Sequence, residues 1–281
     1  MAGELRAKTA VITGAASGLG LAFARRAAGE GMRLVLADID ADALSEAART
    51  LPVRAEDLVR MRVDVSLAPD IDRLADEAFS RFGEVHLLFN NAGVGLSRRA
   101  WEFSEADWQW VMGVNVGSIA HATRAFVPRL LQQKSPSWIV NTASAAGLVS
   151  TPGMAAYNVS KHGVVTLSET LREDLAAVCD HVGVSVLCPA WVPTRIKDAE
   201  RARPGRFGAA APPSAEVQAM IDATAKAVAA GRLSADDIAR VVFEAVAAKR
   251  LYIIPHGKLT GAIRARMQAI LAACEAGQIP P

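Results

Sequence analysis

Short apolar and β-branched runs alternate with longer helical stretches along almost the whole chain, and this alternation limits the folds open to it. The runs predict seven strands, at residues 9–13, 33–38, 60–65, 86–90, 138–142, 182–188 and 251–255. The intervening stretches long enough for crossover helices cover residues 18–30, 41–50, 69–82, 105–134, 155–178 and 234–249. This order is typical of α/β folds, because parallel strands need crossovers that cover both faces of the sheet. The sequence therefore predicts a doubly wound, seven-stranded parallel sheet of the Rossmann type.

Two segments depart from this alternation. Residues 195–232, before the last predicted strand, are rich in Ala, Arg and Pro. An insertion at the carboxyl end of a sheet lies over the usual ligand site, so we predict a substrate lid there; a surface loop with one docked helix fits the composition equally well. Residues 256–281 predict a C-terminal helical tail that could cover the site or pack against another subunit. Without a repeat or a linker, residues 1–281 are expected to form a single Rossmann-type domain.

The charge balance and the cysteines argue against several classes of protein. With 31 basic against 29 acidic residues and no long basic block, the chain is not expected to bind nucleic acid or an anionic membrane. Its three cysteines lack CxxC or His-rich spacing, so neither a disulfide framework nor a metal site is predicted. No apolar run approaches the ~18 residues of a membrane span, and residues 1–8 do not resemble a signal peptide. We therefore predict a cytoplasmic protein.

A glycine-rich turn follows the first predicted strand and opens directly into a helix. Glycines let the backbone approach a phosphate closely, and a helix N-terminus offers unpaired N–H groups and the positive end of its dipole. The spacing G-x-x-x-G-x-G fits a general dinucleotide motif only loosely, so a plain packing turn or an S-adenosylmethionine site stays open. The turn residues predicted to bind a cofactor are Gly14, Ser17, Gly18, Leu19 and Gly20.

Asp38 ends the second predicted strand, twenty positions after Gly18. Its carboxylate can accept hydrogen bonds from both hydroxyls of an adenosine ribose and would repel a 2′-phosphate. No Lys or Arg stands at position 17 or directly after Asp38, so NAD is predicted over NADP unless Arg33 or a more distant base intervenes. A strand-end cap is the alternative role for Asp38, and the glycine turn before it favours cofactor binding. Three more residues near strand ends are predicted to bracket the adenosine: Ile39, Asp64 and Val65. For Asp64 and Val65, strand capping is an equal alternative.

Tyr157 and Lys161 lie four positions apart in a predicted helix, which puts their side chains on one face. A free phenol titrates near pH ~10, and a neighbouring cation lowers a pKa by roughly 1–3 units. The pair could therefore serve as a general acid or base with its tuning charge. A solvated helix face is the plainer alternative for two such residues taken alone.

This pair is the last part of a set of motifs that occur in a fixed order. In chain order, the set is the Asn-Asn-Ala-Gly segment at 90–93, Asn115, Ser144, Tyr157 and Lys161. Over residues 8–195 the chain resembles the short-chain dehydrogenase/reductase family. The resemblance implies a catalytic tetrad of Asn115, Ser144, Tyr157 and Lys161.

The resemblance also implies a role for each member of the tetrad. Tyr157 exchanges the proton of the alcohol while the carbinol hydrogen leaves as hydride to the nicotinamide of NAD. Ser144 hydrogen-bonds the reacting oxygen and stabilises its charge. Lys161 lowers the pKa of Tyr157 and binds the nicotinamide ribose, so that both residues also touch the cofactor. Asn115 positions a water molecule that links Lys161 to solvent. The alternative for Asn115, a helix-kink residue bonded to backbone, is compatible with that role.

Further cofactor contacts and an assembly follow from the same resemblance. The residues implied to approach the cofactor are Asn91, Ala92, Gly93, Pro189, Val192 and Thr194. Ala190 stands where the family usually has glycine, which is acceptable if that residue keeps a negative φ. Family members commonly assemble through the helices matching 105–134 and 155–178, so a homodimer or homotetramer is expected.

The predicted substrate site is mostly apolar. Its residues are Ser144, Ala145, Val149, Met154, Tyr157, Trp191 and Ile196, with ordinary core packing an equal alternative for Trp191. We predict a hydrophobic secondary alcohol or ketone, aromatic ones included, and not a free hydroxy acid or a phosphorylated sugar, because the lining shows no obvious fixed carboxylate or arginine pair. Residues 147–171, the segment Cys-Pro-Ala-Trp-Val-Pro-Thr and the long lid are also similar to bacterial dehydrogenases of the benzylic alcohols of lignin aryl ethers.

Other functions remain open from the sequence. A non-catalytic NAD-binding regulator could share the fold, although it has no need of Tyr157, Lys161 and Ser144 together. A methyltransferase also uses a glycine turn and an acidic residue, but it does not explain Tyr-x-x-x-Lys. Within the family, a sterol, a polyol or a hydroxyacyl compound is the alternative substrate.

Overall fold

All seven strands join one parallel sheet in the computed structural model, which describes residues 5–209 and 211–277. The strands are β1 (Thr9–Thr13), β2 (Arg33–Asp38), β3 (Leu58–Arg62), β4 (Leu87–Asn90), β5 (Ser137–Thr142), β6 (Val182–Leu187) and β7 (Tyr252–Ile253). Their order is β3-β2-β1-β4-β5-β6-β7, with every neighbouring pair parallel. The order reverses between β1 and β4, and ligands bind at such a switch point beyond the carboxyl ends of the strands. The predicted doubly wound fold is confirmed.

Helices cover both faces of the sheet. They are α1 (Gly18–Gly29), α2 (Ala41–Arg49), α3 (Ala68–Phe82), α4 (Glu105–Met112), α5 (Ser118–Gln133), α6 (Ala155–Ala176), α7 (Ala215–Ala229), α8 (Ala235–Ala247) and α9 (Thr260–Ala276). Phe23 of α1 and Phe243 of α8 belong to a core on one face, whereas Phe126 of α5 and Leu171 of α6 belong to a core on the other. Burying large apolar side chains on both faces makes the sheet a rigid base for the site.

The third strand ends earlier than predicted. It covers Leu58–Arg62 and not residues 60–65, because Asp64 leaves the ladder and its N–H donates to the Asp70 carboxylate at 2.8 Å. Asp64 is thereby turned toward the carboxyl edge of the sheet, where the cofactor was predicted to bind.

The predicted long helix over residues 105–134 is interrupted. A π-helical turn, Gly113–Gly117, separates α4 from α5 and contains the buried residue Asn115. Asn115 exchanges two hydrogen bonds of 2.9 Å with the backbone of Val94. Such bulges often occur at functional sites because they turn one side chain out of the helical register.

The two exceptional segments of the sequence form helices and short turns. Residues 195–232 contain two 3₁₀ segments, Arg195–Ala202 and Gly205–Phe207, followed by α7. In the described part of the tail, α9 has no buried residue. Across residues 5–209 and 211–277, we find no helix with the length and hydropathy to cross a bilayer. The assignment of these segments as lid and tail remains a prediction.

Candidate active site

The glycine turn between β1 and α1 tolerates no side chain at its tightest point. Gly14 and Gly18 have φ values of +67° and +57°, a region that favours glycine. A Cβ atom on Gly20 would lie 2.0 Å from the carbonyl oxygen of Gly14. Asn91 fixes the turn from the adjacent loop, because its side-chain amide donates to the Thr13 carbonyl at 3.0 Å. The result is a backbone cradle at the start of a helix, which suits a phosphate group.

Asp38 lies at the carboxyl end of β2, beside this turn. Its carboxylate accepts hydrogen bonds from the backbone N–H groups of Ala16 at 3.0 Å and Asp40 at 3.1 Å. Burial raises the pKa of Asp38, and these two bonds oppose the rise. The carboxylate is thus held in one orientation at the edge of the site.

Two arginines of the 195–232 segment reach this edge, and sequence reasoning missed them. Arg206 lies 2.8 Å from the carboxylate of Asp64 and donates to the Ser66 hydroxyl at 2.7 Å. Arg201 lies 3.9 Å from the carboxylate of Asp40. The available signal was the high arginine content of the segment, but no local pattern names the partners.

Lys161 and Asn115 come together behind the loop after β4. The Lys161 ammonium donates to the Thr142 carbonyl at 2.8 Å, and the Asn115 amide donates to the Ser160 hydroxyl at 2.9 Å. A Cβ atom on Gly93 would lie 3.3 Å from both the Lys161 Nζ and the Asn115 Oδ1. The close approach of this loop therefore favours glycine at position 93.

The hydroxyl groups of Tyr157 and Ser144 are hydrogen-bonded partners. Burial raises the pKa of Tyr157, and a hydrogen bond from Ser144 opposes the rise. The Lys161 Nζ lies 5.6 Å from the centroid of the Tyr157 ring, and burial outweighs the other influences on this phenol. The expected lowering of the pKa of Tyr157 by Lys161 is therefore not found in this structure, in which the direction is the opposite.

Lys161 itself is strongly affected by its surroundings. Burial lowers its pKa to about 8, and the neighbouring Cys188 opposes this shift. Burial also raises the pKa of the Cys188 thiol to about 12, so the thiol is protonated at neutral pH. Lys161 thus keeps a buried positive charge at neutral pH at a cost to stability.

We expect Lys161→Met to raise the melting temperature at pH 7 by a few degrees, since it removes a buried charge, while lowering activity. The folded-state pKa of about 8 lies below the unfolded value of 10.5. Between these pH values the unfolded chain binds more protons, so the wild-type protein becomes more stable as pH rises. The difference in melting temperature between Lys161→Met and the wild type therefore shrinks. Thermal unfolding from pH 7 to 10 measures this, with Lys226→Met on exposed α7 surface as the control. An advantage that does not change with pH would contradict the assignment.

One cavity of about 590 Å³ unites the cofactor edge with the reactive hydroxyls. Nearly all of the predicted site residues line it. They are Gly14, Ser17, Gly18, Leu19, Asp38, Ile39, Asp64, Val65, Asn91, Ala92, Gly93, Ser144, Ala145, Val149, Met154, Tyr157, Lys161, Pro189, Trp191, Val192, Thr194 and Ile196. Gly20 and Asn115 lie behind this wall and support it.

The segment after β6 provides much of the cavity wall that the sequence did not predict. Its apolar contributors include Pro212, Pro213, Ile221 and Val228. Trp191 is 41% exposed and lines the cavity, so it is not an ordinary core residue. Arg98, a charged residue absent from the predicted lining, also borders the cavity.

Ala190 avoids the positive φ that a residue with a side chain rarely adopts. Ala190 is not among the non-glycine residues of the described chain that have a positive φ. Its N–H donates to the His256 ring at 3.1 Å, which ties the loop after β6 to the segment after β7. The departure from the usual glycine is therefore accommodated.

A glycine cradle at the switch point of a doubly wound sheet, open to a Tyr–Ser pair with a buried lysine behind it, defines a Rossmann-fold oxidoreductase site. Among the residues described, no group of three His, Cys, Asp or Glu side chains could hold a metal ion. The site thus offers a dinucleotide cradle and hydroxyl groups for proton transfer.

Comparison with known proteins names the family. The model of the short chain dehydrogenase family matches residues 8–205. A short-chain dehydrogenase/reductase from Burkholderia phymatum, solved in complex with NAD, is 46% identical, with a TM-score of 0.91 over 99% of this chain and 98% of that one. The chain belongs to the short-chain dehydrogenase/reductase family.

Curated relatives span most of the chain. A CLA biosynthesis dehydrogenase/reductase of Lactiplantibacillus plantarum is 34% identical over 95% of this chain and 94% of its own length. A 1-deoxy-11-beta-hydroxypentalenate dehydrogenase of Streptomyces exfoliatus is 36% identical over 89% and 83%, respectively. A C alpha-dehydrogenase of a Sphingobium species is 29% identical over 95% of this chain and 87% of its own length.

Proposed function

We propose that the protein interconverts a hydrophobic secondary alcohol and its ketone, with NAD as cofactor and Tyr157 as general acid and base. One observation carries the proposal: the hydroxyls of Tyr157 and Ser144 lie in the same cavity as the glycine cradle and a largely apolar wall. The family is one of oxidoreductases that act on alcohols and ketones.

The residues of the cradle fit NAD. The glycine turn leaves room for a pyrophosphate at a helix N-terminus, and Asp38 presents a carboxylate to the adenosine ribose. The neighbour from Burkholderia phymatum, similar over nearly its whole length, holds NAD. When bound, NAD supplies the acceptor for the hydride.

The side chains of this chain provide the proton chemistry. Tyr157 takes the hydroxyl proton in oxidation and returns it in reduction. Ser144 donates a hydrogen bond to the same oxygen as negative charge develops there. We assign Lys161 to the nicotinamide ribose, and Asn115 holds the loop that packs against Lys161.

Asp38→Asn is expected to lower kcat/KM for NAD by ~10- to 100-fold, the loss of one hydrogen bond to a charged group. The preference for NAD over NADP should fall further, because Arg201 lies near Asp38 and would attract a 2′-phosphate once the carboxylate is neutral. Steady-state kinetics with both cofactors measure this. Asp42→Asn, on the exposed first turn of α2, is the control. An unchanged cofactor ratio in Asp38→Asn would show that this residue does not select NAD.

A substrate panel tests the reaction itself. NADH formation is followed at mildly alkaline pH with aliphatic, benzylic, steroidal and polyol alcohols. We expect turnover of the hydrophobic secondary alcohols. Turnover of small polyols alone would overturn the substrate class, and NADH binding without any turnover would favour a regulatory role. The names of two relatives, a hydroxypentalenate dehydrogenase and a C alpha-dehydrogenase, support bulky alcohols for the panel.

A further inference from the structure

Three charged side chains are buried together where the 195–232 segment meets the body of the protein. Arg203 lies 2.7 Å from the Asp107 carboxylate, and Arg98 lies 3.6 Å from it. The three side chains are only 5%, 4% and 7% exposed, in the order Arg203, Asp107, Arg98. Two cations thus share one anion, which leaves an excess positive charge in a site of low dielectric constant.

Asp107 is already committed to other partners. It forms the capping box of α4 with Ser104, whose backbone N–H donates to it at 3.0 Å. Burial raises the pKa of Asp107, but hydrogen bonds from Arg203 and Ser104 outweigh it and hold the pKa below its ordinary value. The carboxylate is therefore ionised at neutral pH, and Arg203 is its tight ion-pair partner.

Arg203 is occupied on every side. Its guanidinium donates to the carbonyls of Phe207 and Gly208 at 3.0 and 2.8 Å and lies 5.0 Å from the centroid of the Trp110 ring. The excess charge therefore resides on Arg98, the arginine with the longer contact to Asp107.

Arg98 borders the cavity and is fixed in place. Its backbone N–H donates to the Gly153 carbonyl at 2.8 Å, and its guanidinium donates to the Ala211 carbonyl. Ala211 and Met154, next to these two contacts, line the same cavity as Arg98. A planar guanidinium held in this way is preorganised to bind a carboxylate.

The position of Arg98 sets the shape of such a ligand. A Cβ atom on Gly95 would lie 3.8 Å from the Tyr157 ring. Arg98 follows three residues later, so its backbone lies at most ~11 Å farther along the chain. The intervening cavity wall includes Leu96, Met154 and Ile196. A molecule that reaches both ends needs an apolar frame between its hydroxyl and its acid group.

We infer that Arg98 binds the carboxylate of an amphipathic hydroxy acid or keto acid whose reacting carbon lies beside Tyr157, separated from the acid by an apolar frame. This rests on the proposed function and names its substrate class. It departs from the sequence-based exclusion of free hydroxy acids, because that exclusion assumed a lining without arginine. The arrangement also gives Arg98 a counter-ion when the substrate is bound.

Matched acids and esters test the inference. The substrates are saturated fatty acids with a secondary hydroxyl at different chain positions, each beside its methyl ester. In the wild type we expect kcat/KM for the best acid to exceed that of its ester by ~10- to 100-fold, the range for a hydrogen bond to a charged group. Arg98→Met should reduce this ratio to about one while changing the ester by only a few fold, and Arg98→Lys should restore part of it.

The control is Arg99→Met, which removes the adjacent arginine that pairs with Glu216 on the surface. It should keep the wild-type ratio. Inhibition of ester oxidation by decanoate, compared with decanamide, gives a readout that needs no variant, and decanoate should inhibit more strongly. Equal turnover of acids and esters, equal inhibition, or an unchanged ratio in folded, NADH-binding Arg98→Met would overturn the inference. Turnover of esters alone would overturn the inference about Arg98 and leave the proposed function intact. If no alcohol were oxidised, the proposed function itself would be refuted.

Discussion

Tyr157→Phe is expected to lower kcat by about 10³-fold and to leave the Kd for NADH within a few fold of the wild type. General acid–base catalysis by a positioned side chain contributes ~10²- to 10⁴-fold, and phenylalanine cannot transfer a proton. The aromatic ring stays, so the packing against Gly95 and the Lys161 side chain is preserved. The loss should therefore appear in kcat and not in cofactor binding.

The chain provides a matched control for this variant, because it contains only two tyrosines. The other, Tyr252, is exposed, and its hydroxyl donates to Glu169 outside the cavity. Tyr252→Phe should keep wild-type kcat and KM. Stopped-flow and steady-state assays, with fluorescence titration of NADH, compare the two. More than a tenth of wild-type kcat in Tyr157→Phe would refute the assigned role.

Gly20→Ala is expected to weaken NADH binding by at least ~100-fold and to lower thermal stability, since overpacking a tight site costs typically ~1–3 kcal/mol or more. The new Cβ would lie 2.0 Å from the Gly14 carbonyl oxygen and 2.7 Å from the Asn91 amide nitrogen. Both neighbours belong to the cradle, and the first is backbone that cannot move without opening the turn. The change therefore distorts the cradle without altering a charge.

The same helix provides the control for this prediction. Gly29 ends α1, and a Cβ atom there would meet nothing within 4 Å. Gly29→Ala should leave NADH binding unchanged and stabilise the helix slightly, because alanine loses less backbone entropy on folding. Calorimetric titration and thermal melts compare the two variants. Equal NADH affinity in Gly20→Ala and wild type would exclude the turn as the pyrophosphate cradle.

The sheet and the shared helix of Tyr157 and Lys161 could be predicted because their signals are local. Strand periodicity located the seven strands, and the spacing of Tyr157 and Lys161 placed both on one helix. The same spacing misjudged their electrostatics. It does not reveal that the Lys161 ammonium bonds the Thr142 carbonyl, nineteen positions away in the chain.

The charged contacts of the 195–232 segment could not be predicted for a similar reason. Arg206 meets Ser66 across 140 positions, and Arg203 meets Asp107 across 96. Neither contact leaves a periodic pattern in the sequence, because each depends on how a long insertion folds back on the sheet. For Asn115 the sequence offered a helix kink bonded to backbone, which the π-helical turn shows, but the partner Val94 could not be predicted because it lies in a distant loop.

Two of the ion pairs that attach the 195–232 segment to the body of the protein differ in strength. Arg206 is 39% exposed in its pair with Asp64, and exposed pairs contribute ~0–1 kcal/mol, whereas separating a buried pair such as Arg203–Asp107 costs ~3–5 kcal/mol. We therefore expect the Arg206 contact to open far more often than the Arg203 contact, which keeps the cavity wall beside Arg98 in position. Because salt screens exposed charges more than buried ones, higher ionic strength should widen this difference.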